Sequence, residues 1–260
     1  MIPLKDDAPS ATIPFLTYAL VAANVLAFLW QLSLDGAGGI ERSALVGGAI
    51  PYEVLSLEDG YPPDLVPPPF TILTSMFLHG GFLHIASNML FLWIFGNNVE
   101  DALGRARFAL FYLASGVVAA LAQVLAAAVA AESLGNTSPL NVPMVGASGA
   151  IAGVLAAYMV LFPRARVLTL VPIFVFFQLV RLPAVIFIGI WFLLQVLSVF
   201  FGGAPGVAVF AHIGGFLAGL ALLRAVGRRR GWQPRRERAG ARRRRRDRDP
   251  RGPWVDAALP

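Results

Sequence analysis

Met144-Val-Gly-Ala-Ser-Gly-Ala-Ile-Ala-Gly153 is the stretch on which the reading of this chain turns. It opens an apolar run that continues to residue 162, with Ser148 near its start, Gly146 and Gly149 beside it and Gly153 one turn on. A serine among small residues in an apolar helix has an ordinary use. Its hydroxyl bonds back to a carbonyl one turn earlier, and the small neighbours let another helix approach. What raises Ser148 above that use is a histidine elsewhere in the chain, expected at the same depth in a membrane.

The composition points to a membrane protein. The chain's 260 residues are 57% hydrophobic and 14% charged, with a mean hydropathy of +0.68. A soluble domain is roughly half apolar and a quarter charged, so a polytopic membrane protein is expected. Six apolar runs approach the ~20 residues that a span needs: residues 13–34, 82–99, 108–131, 145–162, 183–201 and 207–226. The second is short and begins amid polar residues, so its upper end is expected in a polar, protein-lined setting. Residues 167–180 are also apolar but are bracketed by Pro163, Arg164, Arg166 and Arg181, and they predict a re-entrant or interfacial connection. Counting them as a seventh span would place the two ends on opposite sides.

Charge decides between six and seven. With six spans and both ends cytoplasmic, the inside segments hold Arg105, Arg107, Arg164, Arg166, Arg181 and an arginine-rich tail. The outside segments hold Asp35, Glu41, Glu53, Glu58, Asp59, Asp64 and Glu132 against Arg42 alone. That asymmetry follows the positive-inside rule. Residues 1–12 then read as a cytoplasmic segment without the features of a cleavable leader, 13–226 as the membrane domain, and 227–260 as a disordered cytoplasmic tail. The tail holds thirteen arginines against four acids, a balance of +9, so the rest of this +6 chain carries −3. Its expected partner is anionic lipid, and no nucleic acid is expected. The first outer loop, residues 35–81, is long and proline-rich, and its stretch 70–78 is apolar enough to lie in the membrane interface. There is no cysteine, which removes disulfides and thiol chemistry.

Only three histidines occur, His79, His84 and His212. An ionisable residue inside a span is costly and points to function. His212 falls about six residues below the outer loop 202–206, roughly 8–9 Å into its helix, and Ser148 enters its own helix from the same side. Gly149 and Gly153 on one span, and Ala211, Gly215 and Gly219 on the other, form small-residue stripes that permit close helix approach. A serine needs a neighbouring base to become a nucleophile, and His212 is the candidate. No carboxylate is expected at this depth, so the pair reads as a Ser–His dyad. His84 and Asn88 are four apart on one helical face and enter from the same side. With the backbone N–H of Ser148 and of Gly149, they are candidates to stabilise an oxyanion. His79, nearer the surface, is expected to be structural. No His-Glu-x-x-His motif or intramembrane aspartate pair is present, so neither metal nor cofactor is expected. A transporter would show an intramembrane charge or two repeated halves with interrupted helices, and the sequence has neither.

Those residues carry a resemblance. His79–Asn88 leading into Met89–Gly96, then Glu100, Gly146-Ala147-Ser148-Gly149 and Ala211-His212-Ile213-Gly214-Gly215 resemble the rhomboid intramembrane serine proteases of bacterial type, over roughly residues 70–219. The resemblance implies an all-α membrane protein, a six-transmembrane-helix bundle with a partly embedded first outer loop. It implies Ser148 as nucleophile, His212 as general base, and His84 and Asn88 as oxyanion-stabilising groups. The substrates implied are transmembrane proteins cut within or next to their span, in a bacterial inner membrane. The alternative is a catalytically inactive rhomboid-like protein that binds membrane spans. In two places the chain departs from the pattern. Ala152 stands where some members carry a tyrosine packed on the catalytic histidine, and the first loop lacks an obvious tryptophan–arginine pair. Orientation of His212 is therefore expected to rest on other contacts.

Overall fold

A helix that is apolar on every side must be surrounded to be stable outside lipid, and the helix that begins at Ser148 is surrounded. The computed structural model describes residues 1–8, 10–34, 38–58, 60, 66–173, 176–200, 208–229 and 232. Strand β1 (Ile2–Asp6) precedes helix α1 (Phe15–Ser33). The first loop holds three short helices, α2 (Gly38–Gly47), α3 (Pro51–Ser56) and α4 (Pro68–Thr74), and a 3-10 turn at Ser75–Phe77. Helix α5 (Phe82–Phe91) passes through a π turn at Leu92–Gly96 into α6 (Asn97–Leu103), and α7 (Arg105–Leu134) follows. After α8 (Ser148–Leu161) come strands β2 (Arg166–Ile173) and β3 (Phe176–Pro183), then α9 (Ala184–Phe200) and α10 (Val209–Val226).

Among the described residues three helices, Phe15–Ser33, Arg105–Leu134 and Val209–Val226, are long and apolar enough to cross a bilayer. A fourth candidate is the pair Pro68–Phe77 and Phe82–Leu103, bent by 79°. Helices α8 and α9 are apolar but shorter. The 14 residues of α8 rise about 21 Å, less than the ~30 Å hydrocarbon core. All residues of α8 from Gly149 to Tyr158 are buried. Its partner is α10, and the crossing is made of glycines. A Cβ added at Gly219 would come within 2.6 Å of Gly153 Cα, and one at Gly215 would overlap the Gly149 carbonyl. The small-residue stripes expected on these two helices do face one another.

The cytoplasm-assigned end differs from expectation, because the chain is not all-α. The stretch expected as a re-entrant or interfacial connection holds two strands instead of a re-entrant segment: β2 and β3 pair antiparallel, and β1 adds antiparallel to β2. The physical reason lies in the alternation along β2, where Val167 and Thr169 are fully buried and Leu168 and Leu170 are not. One face of a period-2 pattern is covered. Apolar content alone resembled a membrane segment, but a ladder satisfies the backbone that a re-entrant loop would leave open.

The sheet is pinned to the bundle by Asp6. Its Oδ2 accepts hydrogen bonds from the Tyr158 hydroxyl of α8 and from Asn98 Nδ2 of α6 (2.8 Å). Burial pushes the Asp6 carboxyl above the usual carboxylate range. Beside it, the Glu100 carboxylate accepts from the backbone N–H groups of Leu16 (3.1 Å) and Thr17 (2.7 Å) and from Thr17 Oγ1 (2.8 Å). It thereby caps the exposed donors and positive dipole end of α1 from another helix. Past α10, Trp232 is buried against Phe162, and its indole N–H donates to Asp101 Oδ2 at 3.3 Å. The remaining tail lies outside the described residues.

Candidate active site

Ser148 is the first residue of α8. The turn before it requires glycine, since Gly146 has φ of +124°, a backbone region that L side chains rarely adopt. A Cβ there would also sit 2.7 Å from His84 Nε2. The first loop holds this turn in place. Gly146 N–H donates to Ser75 O at 2.8 Å, and Ala49 and Met144 exchange both backbone bonds at 2.9–3.0 Å.

His212 lies in the first turn of α10, and its Nε2 is 2.7 Å from Ser148 Oγ. The glycine crossing of α8 and α10 makes this reach possible for a side chain as short as serine. Two further side chains meet the imidazole. Gln195 Oε1 of α9 is 2.8 Å from Nδ1, and the Trp191 ring lies 5.9 Å away, tilted by 40°. Neither was identified from the sequence. The one available signal was a lone amide in an otherwise apolar span, and nothing in its spacing tied it to His212.

His84, Asn88, Ser148 and His212 line one cavity of about 400 Å³. Its lining also includes Leu83 and Phe91 of α5 and Trp191 of α9. Asn88 is 5% exposed, and its Nδ2 is a buried donor with no protein acceptor. Buried donors are rarely left so, and here the donor borders the cavity in front of the serine. His84 Nδ1 accepts the Gly80 N–H at 3.3 Å. A neutral imidazole carries one N–H, so that bond leaves the proton on Nε2, the atom beside Gly146. The N–H groups of Ser148 and Gly149 belong to the first turn of α8, where helical donors have no intrahelical acceptor.

His79 does not line this cavity. It is fully buried, and its backbone is held by Gln31 of α1, whose Oε1 accepts the His79 N–H (2.9 Å) while Nε2 donates to the His79 carbonyl (3.2 Å). That is a structural placement, though deeper than a surface position.

The architecture and the cavity define a membrane protein with a paired serine and histidine inside a helical bundle. The family model for the Rhomboid domain matches residues 68–229, and the chain belongs to the rhomboid family, a family of multi-pass membrane proteins. It is 31% identical over 157 residues to Rhomboid protein 1, mitochondrial, of Saccharomyces cerevisiae, covering 60% of this chain and 39% of the relative. It is 31% identical over 144 residues to Rhomboid protease GluP of Bacillus subtilis, covering 55% and 24%. It is 35% identical over 106 residues to the human Presenilin-associated rhomboid-like protein, mitochondrial, covering 40% and 26%. The matches therefore span between a quarter and two fifths of these relatives' length.

Proposed function

We propose that this chain is an intramembrane serine endopeptidase that cuts single-span membrane proteins within or next to their transmembrane segment. The observation that carries the proposal is the 2.7 Å contact between His212 Nε2 and Ser148 Oγ in a cavity bordered by an unpartnered amide donor. His212 takes the Ser148 proton as the oxygen attacks the scissile carbonyl, and returns it to the departing amine nitrogen. The oxyanion forms facing Asn88 Nδ2, His84 Nε2 and the N–H groups of Ser148 and Gly149. Water then cleaves the acyl-enzyme with His212 again as base.

Substrate reaches the serine as extended backbone, although a peptide in hydrocarbon favours the helix that satisfies its polar groups. A cavity lined by both α5 and α9 is consistent with entry of a chain from the bilayer between these helices. Behind Ser148 lies a second cavity of about 30 Å³, bordered by Met76, Gly116, Ala119, Ala150 and Ala211. Its size supports a small side chain, such as alanine, before the cut.

Strand pairing supports six spans with both ends on one side. Because β1 pairs with β2, they share a membrane face, which needs an even number of crossings between them; α1, α5–α6, α7 and α8 make four. The Arg229 N–H donates to the Ala102 carbonyl at 2.9 Å, which brings the chain back to the junction of α6 and α7. A cytoplasmic face in a bacterial inner membrane, with the arginine tail on anionic lipid, completes this reading.

The test is incubation of the purified protein in detergent with a generic single-span substrate, beside Ser148→Ala and His212→Ala. Each variant should abolish cleavage, and the double variant should lose little more. Cleavage surviving in Ser148→Ala refutes the proposal.

A further inference from the structure

The imidazole of a Ser–His pair has two tasks, to face the serine and to keep its proton on the far nitrogen. In this chain Ala152, one turn past Ser148 and fully buried, offers only a methyl group. The contacts come instead from α9, where Trp191 and Gln195 lie four residues apart and so share a face. Gln195 is the one amide in Ala184–Phe200, a helix otherwise apolar apart from Ser198 and glycine. An amide in such surroundings is costly unless bonded, and the structure bonds it to the catalytic candidate, Oε1 to His212 Nδ1 at 2.8 Å.

We propose that Gln195 is the positioning residue of the dyad, an uncharged third member that holds His212 in the productive tautomer. This rests on the protease reading above. A carbonyl oxygen at Nδ1 can only accept, so it fixes the single N–H of the neutral ring there and leaves the Nε2 lone pair facing the Ser148 hydroxyl. When the serine proton moves to Nε2, the bond from Nδ1–H to Gln195 becomes charge-assisted and strengthens. It therefore favours the transition state over the resting state. A carboxylate would hold the imidazolium more strongly, but an ionised group on this apolar helix would carry a desolvation penalty that an amide avoids.

The test uses the full-length protein in detergent. Gln195→Met keeps the length and removes the acceptor; Gln195→Glu restores an acceptor at the same place. Two rates are read: kcat and KM for a single-span substrate, and labelling of Ser148 by a fluorophosphonate, which needs no docked transmembrane segment. Gln195→Met should lower kcat and the labelling rate together by about tenfold, the worth of one oriented hydrogen bond. Its KM and thermal midpoint should stay near wild type. Gln195→Glu should recover labelling over Gln195→Met. A Gln195→Met enzyme with unchanged kcat, or with the loss in KM while labelling is unchanged, overturns the proposal. The dyad reading fails separately, through cleavage or labelling that persists in Ser148→Ala.

Discussion

Gly215→Ala should damage catalysis without touching a reacting group. The added Cβ would overlap the Gly149 carbonyl oxygen, lie 2.9 Å from the Gly149 carbonyl carbon, and meet Ala119 Cβ at 3.2 Å on the other side. Carbon atoms rest at about 3.5–4.0 Å, so α10 must move from α8 by roughly 1 Å with little room to slide sideways. Gly215 is three residues from His212, about 4.5 Å along the helix, so most of that displacement reaches the imidazole. The 2.7 Å contact with Ser148 would open to roughly 3.5 Å, beyond hydrogen-bond range. A misplacement of that size lowers rates by about 10², or ~2.7 kcal/mol in barrier, and overpacking should destabilise the fold by about 1–3 kcal/mol. The assay is cleavage of a fluorogenic single-span substrate in proteoliposomes, with thermal unfolding in parallel. Gly189→Ala is the control, because nothing lies within 4 Å of its added Cβ; it should keep full activity. Near-wild-type kcat in Gly215→Ala would refute the claim that backbone contact at this crossing sets the dyad distance.

Asn88→Ala should slow cleavage by about 10²–10³ with little change in KM, as expected when an oxyanion donor is lost; a KM effect alone would assign Asn88 to substrate docking. Asp6→Asn should change how stability depends on pH. The native carboxyl titrates above its ordinary value of 3.8, so the wild type loses stability as pH rises from about 4 through the elevated native value. The amide in the variant cannot ionise, so unfolding midpoints measured from pH 4 to 7 should flatten, and an unaltered slope would count against this role. Trp232→Ala should destabilise by about 3–5 kcal/mol, as for other buried tryptophans, whereas stopping the chain after Trp232 should be silent in both unfolding and cleavage assays. Replacing a glycine or proline near the outer end of a substrate span by leucine should slow its cleavage by about tenfold or more, because the helix there resists unwinding; mass spectrometry placing the cuts near the cytoplasmic end would contradict the depth of Ser148.

Much of the site was legible because polar residues in apolar runs are conspicuous. His212 and Ser148 each stood out near the start of a span, and the glycine stripes supplied a reason for them to meet. Gln195 was as conspicuous, but its partner lies on the next helix, and no sequence spacing encodes that pairing. The same holds for Gly80, whose backbone N–H sets the tautomer of His84 and leaves no trace in side-chain identity. The sheet was hidden by its own apolarity, since 167–180 matched a membrane segment in composition while its β-branched alternation went unread. Trp232 was masked by the arginines around it, because charge density predicts disorder for a segment in which this aromatic is buried.

The pairing of β1 with β2 also bears on how the protein is made. Ile2–Asp6 leaves the ribosome before the other two strands, yet its partner begins at Arg166, 160 residues later (166 − 6). At about 5–20 residues per second, roughly 8–32 seconds pass before β1 can be paired. The pairing of β2 with β3 is local in sequence, so β1 is the strand that waits, while helices α1 to α8 are made between it and its partner. Through that interval an apolar strand edge is open to wrong partners. Defects in β1 would therefore surface first as slow maturation and degradation of new chains.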